Sequence, residues 1–337
     1  MSQSGSGPID GGTLVIQTAF LGDVVLTTGL ISRLATQFGP VDMLVTPGAV
    51  PLVETHPAVR EALAYDKKGR DRGLRAWWRL VGTLRDRHYA RAYLPHRSAR
   101  SAALALAARI PIRIGFEGSA GAPLYTHRVA RPDAAHEAER LLALASPAPG
   151  EIAELQVALT DDDRAVAYAW LAARGIGDGF VVMAPGSVWG TKRWPYYPEL
   201  IKRLPGRIVV IGGPGDRELA QTLVDAAPDR VADATGAMSL RESAALLERA
   251  QLLITNDSAP LHLASALGTP TVAIFGPTVP AFGFGPRAPQ SALIERELDC
   301  RPCSLHGPAR CPLGHHRCMR EIPPDSVRDA IHQLTGS

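Results

Sequence analysis

One rhythm restricts the fold of this chain more than any other feature: a short β-rich run, a turn and an amphipathic stretch, repeated. Thr13–Gln17 (TLVIQ) predicts a first buried strand, a helix is predicted from about Asp23 to Phe38, and Val41–Val45 predicts a second strand. Arg91–Leu94 and Arg113–Gly115 read as later strands, with helical spacing around 73–87 and 98–108. Strand alternating with helix predicts a parallel sheet covered on both faces.

The rhythm breaks at Ser146-Pro-Ala-Pro-Gly150, where Pro and Gly disfavour both helix and strand. It then resumes. Thr160 followed by Asp161, Asp162 and Asp163 caps a predicted helix reaching about Arg174, with the acids well placed at its N-terminus. Phe180–Ala184, Arg207–Ile211, Gln251–Thr255 and Thr271–Phe275 read as strands, with helices near 196–203, 215–226, 239–249 and 258–267. A last helix, about 324–335, follows Pro323-Pro324. A chain of 337 residues suits two α/β domains. The expected division is 1–150 and 151–337, with the final helix able to pack back on the N-terminal domain. Two-domain glycosyltransferases, dehydrogenases, epimerases and periplasmic-type binding proteins all share such a rhythm, so periodicity does not choose among them.

In an open α/β sheet, ligands bind outside the carboxyl ends of the strands. Gly22-Asp23 follows the first predicted strand, where a carboxylate serves either as a general base or as a helix cap, and Gly22 would let the backbone turn tightly. In the second half, Pro185-Gly-Ser187 follows a strand and Lys192-Arg-Trp-Pro195 comes next; a hydroxyl and a lysine there suit a diphosphate. Lysine is scarce in this chain, occurring only at 67, 68, 192 and 202, so Lys192 reads as a compact point charge or as an ordinary surface residue. The run Ile254-Thr-Asn-Asp257-Ser258-Ala259-Pro-Leu-His262, ending at Gly268-Thr-Pro270, is the strongest signal. It places free backbone N–H groups at a helix start beside Asp257, with His262 about one turn on.

No Gly-x-Gly-x-x-Gly follows the first strand and no Walker-type loop is present, which argues against a dinucleotide oxidoreductase and a P-loop enzyme. Asp161–Asp163 reads as capping, not as a metal site. The four cysteines, Cys300, Cys303, Cys311 and Cys318, have partly metal-like spacing, so they read as a structural zinc site or as free thiols in a packed loop.

The net charge of +3 is uneven: the first 150 residues carry +6 and the rest −3. Much of the excess lies between Lys67 and Arg100, including Arg70, Arg72, Arg75 and Arg79 around Trp77-Trp78. That mix reads as a surface for an anionic partner or membrane interface, or as a solvated amphipathic helix with its tryptophans in the core. Met1–Asp10 has neither a basic nor an apolar leader segment, and no stretch approaches the roughly 20 apolar residues of a membrane span, so the expected compartment is the cytoplasm.

Together these residues resemble the heptosyltransferase family (glycosyltransferase family 9). The hallmarks are Gly22-Asp23, Pro-Gly-Ser187 with Lys192-x-Trp-Pro, Met238-Ser-Leu240, Asp257-Ser258 with His262, Ala264 and Gly268, and Phe275-Gly-Pro-Thr278. The tail Cys300-x-Pro-Cys303…Cys311-Pro-x-Gly-His-His-x-Cys318-Met319 is similar to the subgroup that adds the second heptose, heptosyltransferase II. The resemblance implies an α/β GT-B fold, two Rossmann-like domains facing a cleft, in which an N-terminal acceptor domain works with a C-terminal nucleotide-sugar domain. It implies an ADP-heptose donor, a heptosyl-Kdo2–lipid A inner-core acceptor in lipopolysaccharide synthesis, and work at the cytoplasmic face of the inner membrane as a peripheral protein. No further cofactor and no nucleic-acid partner are implied.

Carried over by position, Asp23 would be the base, and Ser187 and Lys192 would hold the diphosphate. Met238 would lie by the adenine and Glu218, where the loop matches loosely, by the ribose. Gly22, Asp257, Ser258, Ala259 and His262 would line the donor site; Ser258-Ala259 stands where some relatives have Thr-Gly. Arg70, Arg72 and Arg75 are the expected acceptor contacts. The implied reaction is an inverting displacement at the anomeric carbon, with the charge on departing ADP met by Lys192 and the helix start at Ser258 rather than by a metal. A heptosyltransferase I or III, another transferase of the family, a non-catalytic sugar-nucleotide binding protein and an epimerase of the same fold are the alternatives.

Overall fold

A computed structural model describes residues 11–336; the leader-free reading of Met1–Asp10 lies outside the described residues. The chain divides by contacts into two compact units, Met1–Ala158 and Leu159–Ser337. Residues 151–158 still pack on the first unit: the Gln156 N–H donates to Thr28 Oγ1 at 3.0 Å and the Thr55 hydroxyl donates to the Ala158 carbonyl at 2.6 Å. The change of unit therefore falls after Ala158, not directly after the Pro/Gly stretch.

Unit 1 is a six-stranded parallel sheet built from β1 (Thr13–Gln17), β2 (Val41–Val45), β3 (Val59–Ala64), β4 (Arg91–Leu94), β5 (Ile112–Phe116) and β6 (His127–Val129). The strand order is β3-β2-β1-β4-β5-β6. In the central strand every residue is buried, and Leu14 lies between Asp42 and Ala92. The core gathers Leu14, Ile16 and Leu44 with Val81, Leu84, Leu104 and Ala105 from the crossover helices. The predicted 23–38 helix is two, Leu21–Leu26 and Thr28–Phe38. At the junction the Thr27 hydroxyl donates to the Asp23 carbonyl at 2.6 Å, a local bond that competes with the helix ladder.

Unit 2 repeats the plan with β7 (Val181–Ala184), β8 (Ile208–Val210), β9 (Val231–Asp233), β10 (Leu252–Asn256), β11 (Thr271–Phe275) and β12 (Ser291–Glu295). Its order is β12-β11-β10-β7-β8-β9. Read in chain order this is the same 3-2-1-4-5-6 arrangement, the Rossmann order, in both units. Ile254 lies between Met183 and Val272, and these side chains join Tyr197, Leu200 and Ile201 in the core. The closing helix Pro324–Thr335 contributes Val327 and Ile331 to that core. Thr160 and Asp163 cap helix Asp161–Ala172 reciprocally, and Asp163 also accepts from Arg241 at 2.9 Å, so this acidic run is a cap.

The order fixes where sites form. Each sheet reverses direction of strand addition between its first and fourth strands, β1/β4 and β7/β10, and all strands of a sheet end at the same edge. Loops that follow the strands are therefore brought together there. Among the described residues no helix is long and apolar enough to cross a membrane.

Candidate active site

In unit 2, the expected donor residues all follow strand ends on the carboxyl edge. Ser187 and Lys192 come after β7, Glu218 after β8, Met238 after β9, and Asp257, Ser258, Ala259 and His262 after β10. Two of them meet directly. The Lys192 ammonium donates to Asp257 Oδ2 at 2.5 Å, with both side chains buried. The Thr278 hydroxyl, from the loop after β11, donates to the same oxygen at 2.7 Å. Removing two charges from water is costly, and it is offset only where close geometry and added hydrogen bonds accompany the pair. Thr278 supplies one of those bonds.

Asn256, fully buried at the end of β10, ties these loops together. Its amide donates to the Pro185 carbonyl at 2.8 Å, and its oxygen accepts from the Trp194 N–H at 3.2 Å and the Tyr197 hydroxyl at 3.3 Å. The Pro-Gly-Ser and Lys-Arg-Trp-Pro stretches are thus held to β10 by one side chain. Gly186 allows the loops after β7 and β8 to close up, since a Cβ there would lie 2.4 Å from Asp216 Oδ1. Ser187 accepts the Trp189 N–H on its hydroxyl at 3.4 Å, and two guanidinium nitrogens of Arg193 donate to its carbonyl.

Ser258 stands at the N-terminus of helix Ala259–Leu267, without a side-chain cap, its hydroxyl 3.3 Å from Thr255 Oγ1. His262 is buried in that helix and meets the Phe284 ring edge-on. Gly268 ends the helix in the left-handed region, as its position in the motif predicts. Glu218 is exposed in the first turn of helix Arg217–Ala226 and Met238 is half-buried just before helix Leu240–Arg249.

In unit 1, Gly22 and Asp23 lie in the first turn of helix Leu21–Leu26. Gly22 is buried and has no positive φ, so its expected role in a tight turn is not what its backbone does: it is a helical residue. Asp23 is half-buried, and its Oδ2 accepts the Phe20 N–H at 3.0 Å. Asp23 is thus not the N-cap, which is Phe20, but stands at N3 and caps the helix from inside its first turn by accepting the Phe20 N–H. That bond is compatible with the reading as a base, because a carboxylate accepts several hydrogen bonds at once.

The basic stretch begins on the same edge, after β3. Asp66 accepts the backbone N–H groups of Gly69 and Arg70, forming a turn that projects Arg70 and Arg72, and Arg75 follows in helix Leu74–Asp86; all three arginines are exposed. Arg70 lies 3.6 Å from Asp71. The two adjacent tryptophans divide: Trp77 packs on the core, whereas Trp78 is 56% exposed beside Leu74.

Two residues on this edge were not anticipated. The Lys67 ammonium donates to the Thr18 carbonyl at 2.7 Å, linking the basic turn to the loop that precedes the Asp23 helix. His96, after β4, has its ring nitrogens 3.4 Å from the Ile16 carbonyl and 3.4 Å from Ser101 Oγ. Burial pushes its pKa down to about 4, and the charge of Lys67 acts in the same direction. Both follow strand ends, which was the available signal.

The zinc reading of Cys300, Cys303, Cys311 and Cys318 gains no geometric support. The four thiols are free, and among the described residues no group of three or more His, Cys, Asp or Glu is placed to hold a metal ion. Cys318 is buried in the apolar core of unit 2, and burial pushes its thiol up to about 11.

Two Rossmann-type units of identical order, the second carrying this polar cluster at its switch point, are the architecture of a GT-B glycosyltransferase. The solved structure of ADP-heptose lipopolysaccharide heptosyltransferase II from E. coli has this fold, at a TM-score of 0.79 and 24% identity over 96% of this chain and 98% of that one. The glycosyl transferase family 9 structure from Veillonella parvula superposes at a TM-score of 0.84, with 23% identity over 96% and 97%. Residues 77–309 match glycosyltransferase family 9 (heptosyltransferase), and the chain belongs to that family. Lipopolysaccharide heptosyltransferase 2 of Salmonella typhimurium is 27% identical over 95% of this chain and 97% of its own length.

Proposed function

We propose that this chain is an inverting transferase that moves heptose from ADP-heptose to the heptosyl-Kdo2–lipid A inner core of lipopolysaccharide. The observation that carries the reading is the Lys192–Asp257–Thr278 group at the unit 2 switch point, in a chain that pairs end to end with heptosyltransferase 2 proteins.

Unit 2 holds the donor. Lys192 is pinned by Asp257, but an ammonium has three N–H groups, so donors remain for a phosphate oxygen. Ser187 and the N–H groups at the start of helix Ala259–Leu267 add neutral donors and a favourable dipole. Met238 lies by the adenine, Glu218 by the ribose, and Asp257, Ser258, Ala259 and His262 line the sugar-diphosphate site.

Asp23 takes the proton from the attacking acceptor hydroxyl. The bond from that oxygen to the anomeric carbon forms as the bond to ADP breaks, and attack from the opposite face inverts the configuration. The transition state gathers negative charge on the diphosphate, which Lys192 and the Ser258 helix start stabilise, so no divalent metal is required. Arg70 and Arg72, in a turn tied through Lys67 to the loop before the Asp23 helix, and Arg75 in the helix that follows meet the phosphates and carboxylates of the acceptor. The exposed Leu74 and Trp78 beside them suit the cytoplasmic surface of the inner membrane, where the protein works peripherally.

The test is ADP release from ADP-heptose against a panel of truncated lipopolysaccharide acceptors. Release is expected with the acceptor that carries one heptose. Release only with an acceptor lacking heptose, or with one already carrying two, would assign the chain to the first or third transfer instead.

A further inference from the structure

The Cys-rich segment, which the mechanism above does not use, is stapled to the turn that carries Lys192. The Cys303 N–H donates to the Pro277 carbonyl at 2.8 Å, beside Thr278. The Thr191 hydroxyl donates to the Pro308 carbonyl, and a ring nitrogen of His316 lies 2.8 Å from the Thr191 carbonyl. Gly307, at φ +78°, packs on Lys192 itself: a Cβ there would lie 3.4 Å from Lys192 Cε and 3.0 Å from Pro277 Cγ.

Next to that buried glycine stands His306, which is exposed. Its ring is within electrostatic reach of both Lys192 and Asp257: burial and the Lys192 charge push its pKa down, and Asp257 opposes them.

The charge at this point needs a further group. Lys192 is neutralised by Asp257, so the pair offers a diphosphate no net positive charge. Two neighbouring arginines are directed elsewhere. Arg193 donates twice to the Ser187 carbonyl, and Arg301, its side chain only 4% exposed, donates to the Thr278 carbonyl and to Glu295.

We propose that His306 is a binding residue for the donor's diphosphate, held over the Lys192–Asp257 pair by the Cys-rich segment. This rests on the donor-site reading above. Neutral imidazole can donate one N–H to a phosphate oxygen, and imidazolium makes the bond charge-assisted. The contact strengthens as the leaving group gathers charge. The segment's metal-like spacing would then reflect two turns that fold a short loop back on Lys192, with His306 at its tip.

The experiment is calorimetric titration of ADP and of adenosine into the wild-type protein, His306→Ala and His306→Gln, alongside thermal melts. His306→Ala is expected to weaken ADP about tenfold or more, as for a hydrogen bond to a charged group, with less than about a twofold change for adenosine and an unchanged melting temperature. His306→Gln, which restores an N–H donor, is expected to regain part of the loss. A folded His306→Ala protein with wild-type ADP affinity, or one that loses ADP and adenosine equally, overturns the proposal. If the wild-type protein binds neither compound, the donor-site reading itself fails and this inference falls with it.

Discussion

Replacing Lys192 by Met separates what the buried pair does for the fold from what it does for the ligand. Lys192 and Asp257 are in contact at 2.5 Å with side chains 10% and 8% exposed, and Thr278 shares the Asp257 oxygen. Lys192→Met leaves a carboxylate buried with one neutral donor. Breaking a buried pair from one side costs about 3–5 kcal/mol, because the remaining charge is uncompensated. At about 2–4 °C per kcal/mol for a domain of this size, the melting temperature should fall by about 6–20 °C. The double variant Lys192→Met/Asp257→Leu removes both charges and should recover most of that loss, since an apolar pair of similar volume is often as stable as the ion pair it replaces. ADP binding should behave differently: weakened in the single variant and not recovered in the double one. Melting curves and ADP titrations on the three proteins give both readouts. A double variant no more stable than the single one refutes the account of the pair. Recovery of ADP affinity in the double variant refutes the role of Lys192 in holding the diphosphate.

Three other outcomes are expected. Asp23→Asn keeps an oxygen for the Phe20 N–H, so the protein should melt normally and bind ADP normally, while turnover falls by about 10²–10⁴-fold; near-normal turnover would remove Asp23 from the mechanism. Replacing Arg70, Arg72 and Arg75 together by Ser should raise the acceptor KM and reduce its salt sensitivity while the donor KM hardly moves, and unchanged acceptor kinetics at low salt would place the acceptor elsewhere. The Asp42 carboxyl is fully buried; burial alone would raise its pKa, but Arg60 at 2.8 and 2.7 Å, Tyr89 at 2.6 Å and the charge of Arg87 hold it below the ordinary 3.8. With the folded-state value depressed, its contribution to stability is full above the ordinary value and is lost as pH falls through the depressed one, so Asp42→Asn should lower the melting temperature at pH 7 and flatten its fall below about pH 4.

The central strands were legible because burial on both faces makes them largely apolar runs: TLVIQ, VDMLV and TVAIF fall where their composition predicts, the buried Asp42 aside. The edge strands were not. VREALA, HRV, VAD and SALIE are short or carry polar residues outward, as edges commonly do, and nothing in their composition separates them from loops. Residues that follow strand ends could be singled out because a parallel sheet puts all those ends on one edge. Which of them touch could not. Lys192 and Asp257 are 65 residues apart, and Thr278 reaches Asp257 across a further strand. The Asp23 alternatives did not exclude each other, since one carboxylate can cap its helix and still accept a proton. Cysteine spacing left a zinc site and free thiols both open, because spacing does not say what a loop packs on; the residues that meet Gly190–Lys192 are Gly307, Pro308, Ala309 and His316, which lie between the cysteines.

The central claim is that this chain forms a glycosidic bond with inversion, using its own residues and no metal. The most direct measurement is to incubate the protein with ADP-heptose and the one-heptose inner-core acceptor in the presence of EDTA, and to analyse the product by mass spectrometry and by NMR of the anomeric centre. The account predicts an acceptor heavier by one heptose residue, with one ADP released per transfer and the new linkage opposite in configuration to the donor. An acceptor left unchanged, a linkage that retains the donor's configuration, or transfer that chelation abolishes would contradict it.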